Sequence, residues 1–225
     1  MYRIHRAVHW ASLDAYIRSL GPAGWWLKGQ GQTVTGSGVS QWDDLSGNGR
    51  HLLQGTDAAR PALQADGSVL FNGTSHYLKT NAFTLNQPEW VLWVGKQVSW
   101  TGVDRVFDGN ADVSGVLYQS PTTPRLRLYA GVGSTENANL AVGALGVVSC
   151  VINGASSALQ INNTAATGGD PGAANMGGLT LGAAATGASN WANISTSELL
   201  VFPFAPSTAQ LDRLVAGLMA RHGVA

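Results

Sequence analysis

Aromatic side chains are the most prominent residues in this sequence that are suited to binding a ligand. Eight of the 225 residues are Trp and five are Tyr, and the flat face of an aromatic ring packs well against the apolar face of a sugar. Trp100 stands at the end of a strand-like run, and Trp191 follows a Gly-rich stretch. The candidate ligand-contacting residues are Trp100, Tyr118, Arg127, Tyr129 and Trp191. Packing within the fold is the alternative role for each ring.

The acidic residues do not form the arrangement that glycoside hydrolysis needs. That reaction uses two carboxyl groups that face each other across the scissile bond. The glutamates Glu89, Glu136 and Glu198 are far apart in sequence, and the adjacent Asp43 and Asp44 would point to opposite faces of an extended strand. A Gly-x-Ser-x-Gly nucleophile motif is also absent. We therefore expect no catalytic residues and no enzymatic activity.

One stretch of the sequence has oxygen-bearing side chains at alternate positions, as the start of a calcium-binding loop does. Asp108, Asn110 and Asp112 supply these oxygens. An EF-hand would require Gly at the sixth position and Glu at the twelfth, where this chain has Val113 and Gln119. Calcium is a weak hypothesis here, and a polar hairpin connection held by Asx turns is the alternative. The five His residues are scattered and have no metal-ligand spacing.

The overall charge argues against a nucleic-acid or membrane partner. Basic and acidic residues number 13 each, so the net charge is zero, and nucleic-acid binders usually carry a basic stripe. The sequence has no apolar run of the roughly 20 residues that would cross a bilayer. Polar residues interrupt the apolar part of the N-terminus, so we expect no signal peptide. Cys150 lies in the apolar run VVSCVI, which predicts a buried structural thiol in a chain made in a reducing cytoplasm.

Two helices are predicted, one near each end of the chain. The first covers about residues 12–19, because Trp10, Leu13, Ile17 and Leu20 recur at spacings of three and four. The second begins with a capping box in the sequence STAQ at 207–210. An apolar stripe at 211–219 follows, and a terminating glycine stands at 223.

The region between the helices is predicted to be β-structure. Runs of β-branched and aromatic residues, several of them alternating apolar with polar, predict strands at 39–42, 69–71, 90–98, 125–130, 147–152, 158–162, 179–182 and 198–202. Trp90 and Trp93 must face opposite sides of their strand, so we expect one of them to be exposed. The Gly-, Ala- and Asn-rich stretch 164–178 predicts a loop. Short strands at regular intervals favour a two-sheet sandwich or jelly roll.

Several segments carry a resemblance to a known family. They are 39–54 with the pattern W-x-D-x-S-G-N-G, the pair 60–61, 69–78 with F-N-G-x-x-x-Y-L, 158–163, 179–182, 194–202 and 207–223. In this order they resemble the concanavalin A-like lectin/glucanase superfamily, and more narrowly the laminin G-like jelly-roll domains of bacteriophage virion proteins. The resemblance covers about residues 22–223 and implies an all-β, two-sheet antiparallel jelly roll. It specifies fold better than ligand, and the Glu-x-Asp-x-Glu pattern of the glucanases is absent here.

The resemblance also implies a function. We expect a non-catalytic binding module on a phage or phage-like virion surface that adheres to host-surface glycans, with a structural or decoration protein of the virion as the alternative and a polysaccharide-active enzyme as a distant third. Residues 1–21 would form a helical anchor segment and 22–225 the jelly-roll domain. Expected partners are other virion proteins, host-surface polysaccharide and further copies of the chain. The expected location is the virion surface after assembly in the host cytoplasm.

Overall fold

The computed structural model describes residues 13–225. Helix α1 covers residues 13–19, a turn of 3₁₀ helix covers Asp57–Ala59, and helix α2 covers Thr208–His222. The strands are β1 (Gly24–Leu27), β2 (Gln32–Thr35), β3 (Gly38–Trp42), β4 (Leu52–Leu53), β5 (Ala62–Leu63), β6 (Val69–Leu70), β7 (Leu78–Lys79), β8 (Glu89–Gln97), β9 (Arg105–Asp108), β10 (Val116–Gln119), β11 (Leu126–Tyr129), β12 (Thr135–Asn137), β13 (Gly146–Ile152), β14 (Ser157–Ile161), β15 (Thr167–Gly169), β16 (Thr180–Leu181) and β17 (Ile194–Phe202). Residues 1–12, which include most of the expected anchor segment, lie outside the described residues.

The strands form two antiparallel sheets. The first sheet has the order β15-β14-β13-β8-β17-β6-β5, and β1 also pairs with β17. The second has the order β12-β11-β10-β9-β16-β7-β4-β3-β2. A two-sheet antiparallel sandwich with a short N-terminal helix and a C-terminal helix confirms the predicted fold class.

The central part of the first sheet is apolar on both faces. On β8, Val91 and Trp93 point into the core between the sheets, whereas Trp90, Leu92 and Val94 point to the outside of the sandwich. A strand that is buried on both faces reads as a continuous apolar run, because both sets of alternate side chains leave water. Such a sheet requires a further layer over its outer face.

The two helices supply that layer. Ile17 of α1 and Leu214 and Leu218 of α2 are buried against Trp90 and Phe202, whose rings stack with centroids 4.8 Å apart. The capping box of α2 and its left-handed terminal glycine, with φ 67°, are present as predicted. The expectation that Trp90 or Trp93 is exposed is wrong, because the helices cover the side of the sheet to which Trp90 points.

A buried carboxylate fastens α2 to the sheet. Glu198 of β17 accepts hydrogen bonds from the indole Nε1 of Trp25 at 2.8 Å and from Nη1 of Arg221 at 2.8 Å. His222 Nε2 lies 2.7 Å from its second oxygen. Arg221 also pairs with Asp14 of α1. Glu198 therefore fastens the helix layer to the sheet through polar contacts, and both of its carboxylate oxygens are used in doing so.

The W-x-D-x-S-G-N-G segment is a folded corner. Asp44 accepts hydrogen bonds from the backbone N–H groups of Trp25 at 3.0 Å, Ser46 at 2.9 Å and Arg50 at 3.0 Å. Trp42 points into the core, and its indole donates to the carbonyl of Leu27. This motif holds the start of β1 against the β3–β4 connection. Both carboxylate oxygens of Asp44 are occupied by these hydrogen bonds, so neither is free for a ligand.

Other strand predictions need correction. The stretch 164–178 is not entirely loop, because β15 forms within it as an edge strand. Eight further strands were not predicted, since all of them have four residues or fewer and show little periodicity: β1, β2, β4, β5, β7, β9, β10 and β12. The last strand begins at Ile194 and not at 198, so Glu198 lies in its interior.

Candidate functional site

The outer face of the second sheet contrasts with that of the first, because no described helix packs on it. We call this surface the open face and define it by Arg105, Val116, Tyr118, Arg127 and Tyr129. On β10 and β11, Val116 lies opposite Tyr129 and Tyr118 lies opposite Arg127. The leucines between them point into the core. Alternation therefore sends Tyr118, Arg127 and Tyr129 to the outside. Arg105 of β9 lies opposite Tyr118, next to a shift in the register between β9 and β10.

Polar contacts at the tips of the two tyrosines fix their rings. The hydroxyl of Tyr118 accepts a hydrogen bond from Nη1 of Arg127 at 3.2 Å, and the same guanidinium stands over the Tyr118 ring at 5.8 Å from its centroid. The hydroxyl of Tyr129 donates to the carbonyl of Gly131 at 2.7 Å. Both tyrosines are half-buried. Rings that are held at one end in this way lose little entropy when a ligand packs on them.

Arg127 is itself held by a carboxylate. Its guanidinium pairs with Glu136 of β12, which also contacts Arg125. Burial alone would raise the pKa of Glu136, but the hydrogen bond and positive charge of Arg127 outweigh it and lower that pKa below the ordinary value. Glu136 is therefore ionised and engaged with arginine at neutral pH.

Arg105 organises the other side of the open face. Its Nη1 donates to Asp108 at 2.5 Å and also to Asp112. The carboxylate of Asp108 is fully buried and accepts from the backbone N–H groups of Gly109 at 2.8 Å and Ala185 at 3.0 Å. Burial raises the pKa of Asp108, and the charge of Arg105 opposes that rise. This carboxylate ties together two loops that border the open face.

Three residues at the border have positive backbone φ angles, and this conformation strains the two valines among them. Val103 has φ 75°, Val113 has φ 56° and Asn190 has φ 51°. Positive φ is uncommon for residues with a Cβ and is a real outlier for β-branched valine. Such strain costs about 1–3 kcal/mol per residue and tends to cluster at functional sites. Of the four non-glycine residues with positive φ among residues 13–225, three lie here.

These residues enclose a pocket of about 220 Å³, which we call the tyrosine pocket. Its lining consists of Val103, Arg105, Val113, Val116, Tyr118, Tyr129 and Asn190. The wall is mostly apolar and aromatic, with an arginine and an amide to fix orientation, as is usual for small-ligand sites. The pocket is shallow and open, so it fits one unit of a longer ligand better than an enclosed molecule.

A glycine allows the loop before β17 to reach this pocket. Gly187 has φ 70°, and a Cβ at this position would lie 2.4 Å from the ring of Tyr77. Its carbonyl accepts a hydrogen bond from the indole of Trp191 at 3.2 Å. The backbone of Trp191 in turn forms a bridge with Arg105. The loop is thus pressed against the sheet, and Asn190 reaches the lining of the pocket.

The structure brings some of the sequence-predicted candidates together and leaves others apart. Tyr118 and Tyr129 line the tyrosine pocket, and Arg127 contacts Tyr118. Trp191 supports the loop that carries Asn190. Trp100 donates from its indole to the carbonyl of Ser120 at 3.1 Å and does not line this pocket.

The expected calcium ligands have other partners. Arg105 pairs with both Asp108 and Asp112, so a guanidinium stands where the two carboxylates approach each other. The backbone of Asn110 bonds to Met176 and accepts from Lys79. Among residues 13–225 no group of three or more His, Cys, Asp or Glu side chains is placed to hold a metal ion. Within the same residues, no helix has the length and apolar character to cross a bilayer.

Sequence reasoning missed Arg105, Val103, Val113, Val116 and Asn190. Arg105 and Asp112 are seven residues apart, and no motif announces their ion pair. The strained valines carry no sequence signal, since valine is a poor choice for positive φ. The pairing of β9 with β10, the bulge between Leu117 and Tyr118 and the bridge between Arg105 and Trp191 bring these residues to one place.

Comparison with known proteins finds likeness in structure alone. No family model and no curated protein sequence matches the chain. A sialidase of Trypanosoma rangeli in complex with sialic acid superposes with a TM-score of 0.64 at 8% identity, over 93% of this chain and 37% of the sialidase. An arabinofuranosidase complexed with arabinofuranosyl-α-1,2-xylobiose gives a TM-score of 0.62 at 14% identity, over 89% of this chain and 59% of that protein. This chain therefore spans about a third to three-fifths of the proteins it resembles, and what it shares with them is the β-sandwich fold.

The functional expectation from the sequence needs correction. A module on a phage virion, whether it adheres to host glycans or decorates the particle, is wrong, because the structural matches are glycoside hydrolases and not virion proteins. The jelly-roll part of the resemblance stands, since both matches share that type of sandwich.

Proposed function

We propose that the open face binds carbohydrate and that the chain is the carbohydrate-recognition part of a carbohydrate-active protein. The observation that carries this proposal is the tyrosine pocket, in which two fixed aromatic rings, an arginine and an amide line a space of about 220 Å³. Ring faces pack against the C–H face of a sugar, and the polar groups meet its hydroxyls.

The fold comparisons support the same chemistry. The sialidase carries sialic acid and the arabinofuranosidase carries an arabinofuranosyl-xylobiose in the structures that superpose on this chain. Fold alone does not transfer a ligand. The proposal therefore rests on the residues of the pocket, and the comparisons add that sandwiches of this shape occur in proteins that handle sugars.

We also propose that the chain binds without catalysing a reaction. A glycosidase needs one carboxyl group that gives up a proton to the leaving oxygen and a second that faces the anomeric carbon. Asp108 is fully buried with its oxygens occupied by Arg105 and backbone N–H groups, so it does not reach a substrate. Asp112 and Glu136 are both paired with arginine. These carboxylates are positioned to hold the arginines of the open face.

The experiment is binding of the full chain to a panel of neutral and acidic polysaccharides and their oligosaccharides, measured by calorimetry. Tyr129→Ala and Tyr118→Ala should each weaken binding of the best ligand about tenfold, because each removes a ring that packs on the sugar. The matched control is Tyr16→Ala, since Tyr16 is also a half-buried tyrosine under an arginine but lies on the helix layer.

Two outcomes would contradict the proposal. Binding that Tyr16→Ala weakens as much as Tyr129→Ala would place the site elsewhere. A panel without any saturable ligand, tested with chain whose unfolding transition is intact, would remove the carbohydrate assignment. Overnight incubation of the same panel with the chain, followed by an assay for reducing ends, tests the absence of hydrolysis. Release of sugar that depends on the chain would overturn the proposal that it does not catalyse a reaction.

A further inference from the structure

A second groove lies on the outer face of the first sheet, beyond the reach of the two helices. It has a volume of about 320 Å³, and we call it the serine groove. Its main lining residues are Lys28, Gln64, Lys96, Ser195, Ser197 and Leu70. It forms where one edge of β17 changes its partner strand, from β6 at Thr196 to β1 at Glu198.

A β-bulge shapes the bottom of the serine groove. Thr196 pairs with Gly95 and Glu198 pairs with Val94, so Ser197 is an extra residue with no partner on β8. A bulge of this kind re-aims side chains and is frequent beside functional sites. Here it turns Ser197 toward the groove while Glu198 still reaches its partners on α2.

Ser197 is 3% exposed and lines the serine groove. Within residues 13–225 its hydroxyl makes no side-chain hydrogen bond, and it is not among the fully buried atoms that lack a partner, so it is open to the groove. Water or a ligand in the groove satisfies such a hydroxyl. The neighbouring hydroxyls differ in this respect, because Ser195 bonds to Ser68 at 3.1 Å and Ser68 donates to Asp66 at 2.6 Å.

The charges around the groove leave one ammonium group available. Lys28 pairs with Asp66 at 3.2 Å, so these two charges offset each other. Lys96 lies across from Ser195 on β8 and has no ion pair with any residue in the described part of the chain. The net charge of the ionisable side chains in the lining is therefore +1. Leu70, Val98 and Leu145 give the same groove an apolar side.

We propose that the serine groove binds the carboxylate of an acidic monosaccharide unit, such as a hexuronate. The ammonium of Lys96 and the hydroxyl of Ser197 meet the carboxylate, the side chain of Gln64 meets sugar hydroxyls, and the apolar side packs on ring C–H groups. This site is separate from the tyrosine pocket, which lies on the other sheet, and it does not depend on the function proposed there.

The test is an NMR titration of the uniformly ¹⁵N-labelled full chain with D-glucuronate, D-glucose and acetate. Glucuronate and glucose differ at C6, where a carboxylate replaces a hydroxymethyl group, and acetate supplies the carboxylate without the ring. The proposal expects glucuronate to shift the amides of Ser195, Ser197 and Lys96 saturably, with at least tenfold weaker effects from glucose and from acetate.

Two substitutions sharpen the titration. Lys96→Met, at an exposed position that does not endanger the fold, should weaken glucuronate binding about tenfold, and Ser197→Ala should weaken it about threefold. Arg125→Gln removes one exposed positive charge from the second sheet and serves as the control, with no change expected. Tyr129→Ala should also leave this binding intact, which separates the serine groove from the tyrosine pocket.

Several results would overturn the proposal. They are glucuronate shifts that avoid the serine groove, equal effects of Lys96→Met and Arg125→Gln, or acetate that binds as well as glucuronate. The last result would indicate a general anion site and not a sugar site. Failure of neutral oligosaccharides at the tyrosine pocket would leave this inference untouched.

Discussion

The outer faces of the two sheets differ in composition and in what covers them. The face of the first sheet carries Trp90, Leu92 and Phe202 beneath two helices, whereas the open face of the second carries Tyr118 and Tyr129 and has no described helix over it. Both faces use large aromatic residues. The difference is that the rings of the first face are fully buried, while those of the second are half-buried and fixed by polar contacts. Aromatic content alone therefore does not separate a packed layer from an open surface; what separates them is whether another element covers the rings.

The two faces should therefore contribute differently to the stability of the fold. Apolar area that is removed from water on folding contributes roughly 25 cal/mol per Å² to stability. The helix layer and the core between the sheets should therefore supply most of the stability. The open face contributes less and accommodates strained backbones at Val103 and Val113. The following predictions test this difference between the two faces, beginning with the largest expected effect.

The pH dependence of stability should report the interior and not the open face. Glu89 is fully buried, accepts a hydrogen bond from the backbone of Met176 at 2.7 Å, and burial raises its pKa from 4.5 to about 8. Because the folded pKa exceeds the unfolded one, its contribution is complete below pH 4.5 and is lost as the pH rises toward 8. The free energy of unfolding should fall by on the order of 4 kcal/mol over this range.

Urea unfolding between pH 4.5 and 8.5 measures this fall. Glu89→Gln should remove most of the slope. Asp104, whose pKa burial raises to about 6 beside the tyrosine pocket, is partly exposed, so Asp104→Asn should change the slope little. If the pH dependence of the free energy of unfolding persisted in Glu89→Gln but disappeared in Asp104→Asn, it would have to be assigned to Asp104 and not to Glu89.

Large-to-small substitutions should have unequal effects in the two layers. Leu218→Ala opens a cavity beneath α2, because Leu218 is fully buried, and should lower the free energy of unfolding by about 2–5 kcal/mol. Tyr118→Ala at the open face should lower it by about 1 kcal/mol or less, since its ring is half-buried. Equal losses in urea unfolding would mean that the open face is part of the structural core.

Relief of backbone strain should separate stability from binding. Val103→Gly should raise the free energy of unfolding by about 1 kcal/mol, because Val103 has φ 75° and is 49% exposed, so little packing is lost. The same variant should bind the best oligosaccharide about threefold more weakly, since the wall of the pocket loosens. Val132→Gly is the control: this valine is exposed without positive φ and should be destabilised by about 0.5–1 kcal/mol. Destabilisation of both variants would show that the strain at Val103 is absent in solution.

The sequence is sufficient to predict the long strands of the first sheet and the C-terminal helix. The continuous apolar runs at β8 and β13, and the capped amphipathic pattern of α2, are local signals that each need only one segment. The exposure of Trp90 or Trp93 was mispredicted because it depends on whether α1 and α2 pack on that side, which no local pattern states.

The open face is less accessible to sequence reasoning. Arg127 and Tyr129 were found because they alternate with leucines along one short predicted strand. Tyr118 was named as a candidate although its strand, β10, was not predicted. Arg105 and Asn190 were not, since they reach the same pocket from a strand and a loop 85 positions apart through a single bridge at Trp191. The sequence does not predict the bulge at Ser197 either, because the extra residue is defined by how β17 pairs with β8 and not by its residue type.

The most direct test of the central claim is the ¹⁵N chemical-shift map of the full chain with the neutral oligosaccharide that binds best in the panel. Carbohydrate binding at the open face predicts shifts confined to β9, β10, β11 and residues 185–191, with α1 and α2 unchanged. Shifts centred on the helices, or a neutral ligand that binds without perturbing Tyr118 and Tyr129, would contradict it.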